Sequence, residues 1–290
     1  MTVLDRVMEI VDTKTNFFKL NEKAKSIELL YAEAGIRLPP ESTLASLIRI
    51  VKSVAERRSA DPAAGHTHME MFRAVQLYRV ADAILALGDV ANRGIYLRKI
   101  TANLDFFTSE QSSAKDIFWE LELWWAIRRK LPSARLEDPP DIVLELDGGS
   151  IGIACKAVYS EKSVPKALST GVRQVKTNCD AGVVAFNIDS IIPPGCVVKE
   201  KDKAALDRRF HSEIDGFVKR HHRHIIRYLD DQRLAAVAVY ISAVADIYGW
   251  SVPFNTVRYG LVYAAGRPTQ VVGALLEQFR ELMVVDNGSS

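Results

Sequence analysis

Residues 142–158 constrain this chain most. Two apolar runs, Ile142–Leu146 and residues 151–158, flank Asp147-Gly148-Gly149-Ser150. Short runs rich in Ile, Val and Leu around a Gly-Gly turn predict a β-hairpin. With residues 147–150 as the loop, Leu146 pairs with Ile151, Leu144 with Ile153 and Ile142 with Cys155. Paired residues point to the same side of a hairpin, and side chains alternate along each strand. Those six therefore share one apolar face that has to pack on a core. A slip of one residue would bury charges, so the register is expected to be well specified. The other face carries Asp141 opposite Lys156, Val143 opposite Ala154 and Glu145 opposite Gly152. This register sets a carboxylate and an ammonium with Cβ atoms about 5 Å apart. A plain cross-strand ion pair has the same local appearance.

The rest of the chain supplies the surroundings. Residues 1–110 read as a helical N-terminal region, with helices at 27–34, 42–58, 69–87 and 95–106 and a polar loop at 59–68. Residues 114–131 form an amphipathic helix with Ser112 and Ser113 as candidate caps. After the hairpin come a helix at 164–177, a buried strand at 181–188 and a long charged helix at 203–229. Strands at 234–245 and 258–265 and a closing helix at 271–282 follow. That order predicts a mixed α/β domain over 111–286, with a central sheet flanked by helices. Residues 287–290, Asn-Gly-Ser-Ser, read as a flexible tail.

Composition mainly excludes. There is no run of about 18 apolar residues, so no membrane span is expected. The first twenty residues mix charges into their apolar positions, unlike a secretory signal. Three cysteines without a CxxC pair fit a reducing cytoplasm and argue against a disulfide framework or a cysteine zinc site. A net charge of +2 says nothing in total, so a nucleic-acid reading has to rest on local groups. Neither GxxxxGK[ST], GxGxxG nor GxSxG occurs, which leaves no foothold for ATP, dinucleotide or serine-hydrolase chemistry. The histidines lack HExxH spacing, and His66 and His68 sit in the polar loop.

Four elements in order carry a resemblance. They are a Glu-bearing helix (FWELELWWAIRRKL, with Glu120 and Glu122), Pro140-Asp141, Ala154-Cys155-Lys156 at the end of the hairpin, and a helix with Gln174 (STGVRQVK). Over residues 114–190 this resembles the PD-(D/E)xK superfamily, which includes restriction endonucleases, Holliday-junction resolvases and many defence nucleases. One Pro-Asp or x-Lys match means little, whereas four elements in the right order and secondary structure carry a signal. The resemblance implies a restriction-endonuclease-like fold and a metal-dependent nuclease acting on DNA or RNA, in a defence or restriction setting. Phosphodiester hydrolysis uses divalent ions to polarise the phosphate and activate water. Mg²⁺ (or Mn²⁺) takes oxygen ligands. By resemblance Asp141 and an acid at position 154 seat the metal. Glu120 supports it, and Glu122 is the second helix candidate. Lys156 serves the nucleophile or the developing charge, and Gln174 touches the site or the phosphates. A two-fold homodimer is the default for cutting both strands.

One position departs from that pattern: Ala154 stands where the superfamily has Asp or Glu. A replaced native acid, natural loss of catalysis, and rescue of the metal by Glu145 or a helix Glu each account for it. The rival function is a non-catalytic module that holds nucleic acid or a partner protein, the latter through the helical N-terminal region. Cations for nucleic acid are Lys162, Lys166 and Arg173 near the Gln174 helix, and Lys219, Arg220 and Arg223 in the densest basic cluster. Acids interleave that cluster, so a solvated helix face reads equally well. Trp124 and Trp125 read as core.

Overall fold

The computed structural model describes residues 2–11, 17–106, 108, 110–176, 179–193, 195–230, 234–250, 254–264 and 266–283. The expected tail at 287–290 and the ends of the expected helix at 164–177 and strand at 258–265 lie outside them. Among the described residues, eight strands form one sheet. They are β1 (Thr2–Val11), β2 (Arg135–Leu136), β3 (Ile142–Leu146), β4 (Gly149–Ala157), β5 (Ala181–Asn187), β6 (Val198–Glu200), β7 (Ala236–Ile247) and β8 (Asn255–Ala264). Their order is β1-β8-β7-β5-β4-β3-β2, with β6 paired to β7 outside that path. Strands β4, β5 and β7 run parallel, and the pairs toward both edges are antiparallel. The protein is thus mixed α/β with a central mixed sheet.

Helices cover both faces because both faces are apolar. On one side, Ile142, Leu144, Ile151, Ile153, Val183, Ala185 and Tyr240 join the larger core. There lie α5 (Ser113–Arg128) and α8 (Gln270–Met283), with α1 (Phe17–Glu33), α2 (Thr43–Ala60), α3 (His68–Leu85) and α4 (Arg93–Ile100) beyond. On the other side, Ala154, Val184, Phe186, Val237 and Val239 meet α6 (Val164–Val175) and α7 (Lys203–Asp230). Helix α5 is capped by Ser112, whose hydroxyl accepts the Ala114 N–H. It is sandwiched between sheet and helical layer. Trp119 reaches the sheet and donates to the Ala185 carbonyl at 3.2 Å, while Trp124 donates to Ala134 at 3.0 Å. Trp124 is core as expected, and Trp125 is half-buried against it.

Two expectations are corrected. Residues 2–11 are not helical: they form the edge strand β1, antiparallel to β8, and so belong to the sheet. Val3, Leu4, Val7, Met8 and Val11 fall at helical spacing, which is why the local pattern misleads. The same stretch is rich in β-branched residues, and its partner β8 lies at the other end of the chain.

The hairpin is also tighter than expected. Leu146 pairs with Gly149, Leu144 with Ile151 and Ile142 with Ile153, leaving only Asp147 and Gly148 in the turn. Asp180 explains the shift. Its carboxylate accepts the Ser150 N–H at 2.8 Å and the Ser150 hydroxyl at 3.1 Å, drawing Ser150 into the sheet beside β5. Gly149 turns into that contact at φ 153°, where a Cβ would lie 2.8 Å from the same Asp180 oxygen. A shift of two keeps every side chain on its expected face, but Ala154 rather than Lys156 comes opposite Asp141.

Close approach of α6 to the sheet rests on Gly171. A Cβ there would lie 2.8 Å from Val184 Cγ2 and 3.5 Å from the Ala154 Cβ. Gly171→Val should therefore cost about 1–3 kcal/mol by overpacking. Urea denaturation measures it, and an unchanged midpoint would mean the helix has slack.

Candidate active site

Asp141 sits immediately before β3, directly after Pro140. It is buried, and its Oδ2 accepts the Cys155 N–H of β4 at 2.6 Å. Lys156, on the same strand, brings Nζ to 3.4 Å from that oxygen and donates to the Cys155 carbonyl at 2.8 Å. From α6, Gln174 aims Nε2 at Asp141 Oδ1 over 3.5 Å. From α5, Glu120 comes within electrostatic reach of Asp141 and Lys156. Four elements thus bring Asp141, Lys156, Gln174 and Glu120 to one place, although they span residues 120–174. The Asp141–Lys156 ion pair forms as a diagonal contact.

Electrostatics at this spot are those of acids short of water. Burial, followed by the charge of Asp141, pushes the Glu120 carboxyl well above its ordinary range. Burial also raises Asp141, against the pull of Lys156 and the Cys155 N–H. The Cys155 thiol is pushed up by burial and by the same two carboxyls, which leaves it inert as a nucleophile. Beyond Lys156, Tyr159 donates to Asp116 at 2.9 Å, and Asp116 feels the Lys156 charge as well.

The remaining candidates go elsewhere. Glu122 is not a metal ligand of this group, because two arginines claim it on the opposite side of α5. Arg79 Nε and Nη2 lie at 2.8 and 2.9 Å from its two oxygens, and Arg258 pairs with it as well. Arg79 also reaches Asp189 at 2.9 Å. Burial alone would raise Glu122, but Arg258 and Arg79 hold it down at about 2. Glu145 is not placed to stand in for an acid at position 154. It pairs with Ser150, bonds Arg135 at 2.9 Å, and lies four strand residues, about 13 Å, from the level of Ala154.

Ala154 itself is fully buried between Val184 and α6. Lys162, Lys166 and Arg173 are exposed, the last two on the helix that carries Gln174. In the other basic cluster, Arg220 is clamped by Glu161 at 2.6–3.0 Å and Lys219 by Asp215 at 2.6 Å. Only Arg223 of that trio is exposed without a salt bridge among the described residues.

Sequence reasoning missed Asp138, an exposed acid whose charge reaches both Glu120 and Asp141. Its place in the Glu137-Asp138-Pro139-Pro140-Asp141 run was the available signal. It also missed Tyr96, whose hydroxyl is raised by burial and then by the charges of Glu120, Asp138, Glu137 and Asp141. No local pattern marked that residue.

As they stand, these residues do not make a seat for Mg²⁺. A hard divalent ion needs several carboxylate or water oxygens. One Asp141 oxygen already takes a backbone N–H and an ammonium, and the environment favours a proton on Glu120. Among the described residues no group of three or more His, Cys, Asp or Glu side chains is placed to hold a metal ion.

Two predictions follow from the two glutamates of α5. Glu120 has a raised folded value, so its contribution is fully present below its ordinary 4.5 and is lost as pH rises through the folded value. Glu120→Gln should raise Tm at pH 8, and the gain should vanish toward pH 4. A gain independent of pH in scanning calorimetry would refute the buried-acid account. Glu122 is the converse, and Glu122→Gln should cost about 3–5 kcal/mol at pH 7 by leaving buried arginine charge uncompensated. Denaturant titration reads that loss directly.

No family model matches the chain, and no curated protein or solved structure is found similar to it.

Proposed function

We propose that this chain carries the phosphodiester-cleaving site of a PD-(D/E)xK-type nuclease, acting on DNA or RNA, with one carboxylate missing at Ala154. The observation that supports it is the convergence of Glu120, Asp141, Lys156 and Gln174 from α5, β3, β4 and α6. These are the pieces that the resemblance joins, and nothing in their sequence separation requires them to meet. In this reading Lys156 holds its ammonium beside Asp141, where a scissile phosphate would gather charge. Gln174 orients the Asp141 carboxylate, and Glu120 is the supporting acid. Lacking the second carboxylate, the chain binds nucleic acid without cutting it.

A second reading is favoured by the packing at Ala154. Its methyl group is fully buried in the core that Val184 and α6 share. That suits a non-catalytic module that keeps the scaffold to hold nucleic acid or a partner protein.

Reversion separates the two. Ala154→Glu, with Ala154→Asp as the shorter acid, should give Mg²⁺-dependent cleavage of DNA or RNA. Lys156→Ala in the revertant should abolish it. A folded revertant that cuts neither polymer leaves the module.

A further inference from the structure

Helix α3 and the sheet do not close completely on one another. Between them lies a cavity of about 50 Å³. Ser242 and Val244 of β7 and Thr256 of β8 line it from the sheet, and Val75, Arg79 and Phe106 from the helical layer. Cys196, in the connection from β5 to β6, is an exposed residue of its lining and marks the side open to solvent. At about 10–15 Å³ for each water, the space takes about four waters, or one molecule of about four or five heavy atoms.

Two hydroxyls give this cavity a chemistry. Ser242 stands in the apolar run 236–245 (AVAVYISAVA). Ser242 pairs with Arg258 and Val244 with Thr256, so these four side chains share the face that Arg258 turns toward Glu122. Ser242 and Thr256 are diagonal neighbours on it, about 7 Å apart. Each is only 4% exposed, yet neither side-chain oxygen has a hydrogen-bond partner among the described residues. A buried hydroxyl without a partner is costly, and such groups in a folded protein call for one. The cavity they line is where it can sit. Their spacing suits a molecule with oxygens on two neighbouring carbons, each within a hydrogen bond of about 2.8 Å of one hydroxyl. Val75, Phe106 and Val244 offer apolar surface to the carbons.

Charge narrows the class further. Arg79 donates to Glu122 and Asp189, and Arg258 pairs with Glu122, so two cations already balance two anions. Asp189 is fully engaged, because its Oδ1 accepts the Ser242 N–H at 2.6 Å while Oδ2 holds Arg79. A carboxylate entering beside them would leave uncompensated negative charge in a buried place. A neutral molecule brings no such cost.

We infer that this cavity is a binding site for a small neutral vicinal diol, held between the Ser242 and Thr256 hydroxyls. None of its residues belongs to the Asp141 group, so the inference stands or falls apart from the nuclease reading.

The probes are ethane-1,2-diol and propane-1,2-diol, titrated into the full chain and followed by saturation-transfer NMR. Molecules of this size should bind at about millimolar strength. Acetate, the charged molecule of similar size, should bind about tenfold more weakly or not at all. Ser242→Ala and Thr256→Val should each weaken diol binding about tenfold. Without diol, the same variants should melt about 1–3 °C above the parent, because a buried hydroxyl lacking a partner has been removed. Saturating diol should raise the parent's Tm and leave the variants' Tm where it was. Diol binding that survives both substitutions overturns the inference, as does a parent chain that binds neither diol, or one that takes acetate as tightly. So does a variant whose Tm falls or stays level, since enclosed water or the protein would then already satisfy the hydroxyls.

Discussion

The arrangement depends on how helix α5 is rotated, and one buried carboxylate sets that rotation. Glu122 is held between Arg79 of α3 and Arg258 of β8. Residues two apart on a helix point about 200° apart. Pulling Glu122 toward the arginines therefore turns Glu120 away from them, toward Asp141. A buried ion network is costly to desolvate and weak evidence for net stability. Here it does something else: it couples the helical layer, α5 and the sheet, so the position of Glu120 depends on residues more than forty positions away.

At the site itself the decisive quantity is water. Burial raises both Asp141 and Glu120, and the charge of Asp141 raises Glu120 further. The Cys155 N–H and Lys156 keep Asp141 from being stranded. Gly171 contributes from a distance. Without a side chain it lets α6 settle on Ala154 and Val184, and that depth carries Gln174, one turn along, to Asp141.

Much of this was legible in the sequence, and the failures have physical causes. The hairpin, the faces of its strands, and the order of elements from 114 onward follow from alternation and turn residues acting locally. Asp141, Lys156, Gln174 and Glu120 were found by resemblance, and the structure brings them together. The register missed by two because a side chain thirty residues on, Asp180, pulls Ser150 into pairing. Glu122 was misread because its partners Arg79 and Arg258 are remote in sequence. Tyr96 gave no signal at all, since what brings it within electrostatic reach of the acids is the packing of α4 on α5. Residues 2–11 fit either helix or strand spacing, and only β8 decides between them.

That last pairing has a consequence for how the protein is made. Val11 pairs with Thr256 and Thr2 with Ala264, so β1 is synthesised long before the strand it pairs with. At ordinary translation rates the roughly 250 intervening residues take about ten to fifty seconds. Throughout that interval a strand rich in Val, Ile and Leu has no sheet to join. The four helices that follow can pack on one another in the meantime, but the sheet's outer edge cannot close. The nascent chain therefore carries an unpaired, sticky strand throughout that interval, a natural handle for a chaperone and a point of entry for aggregation.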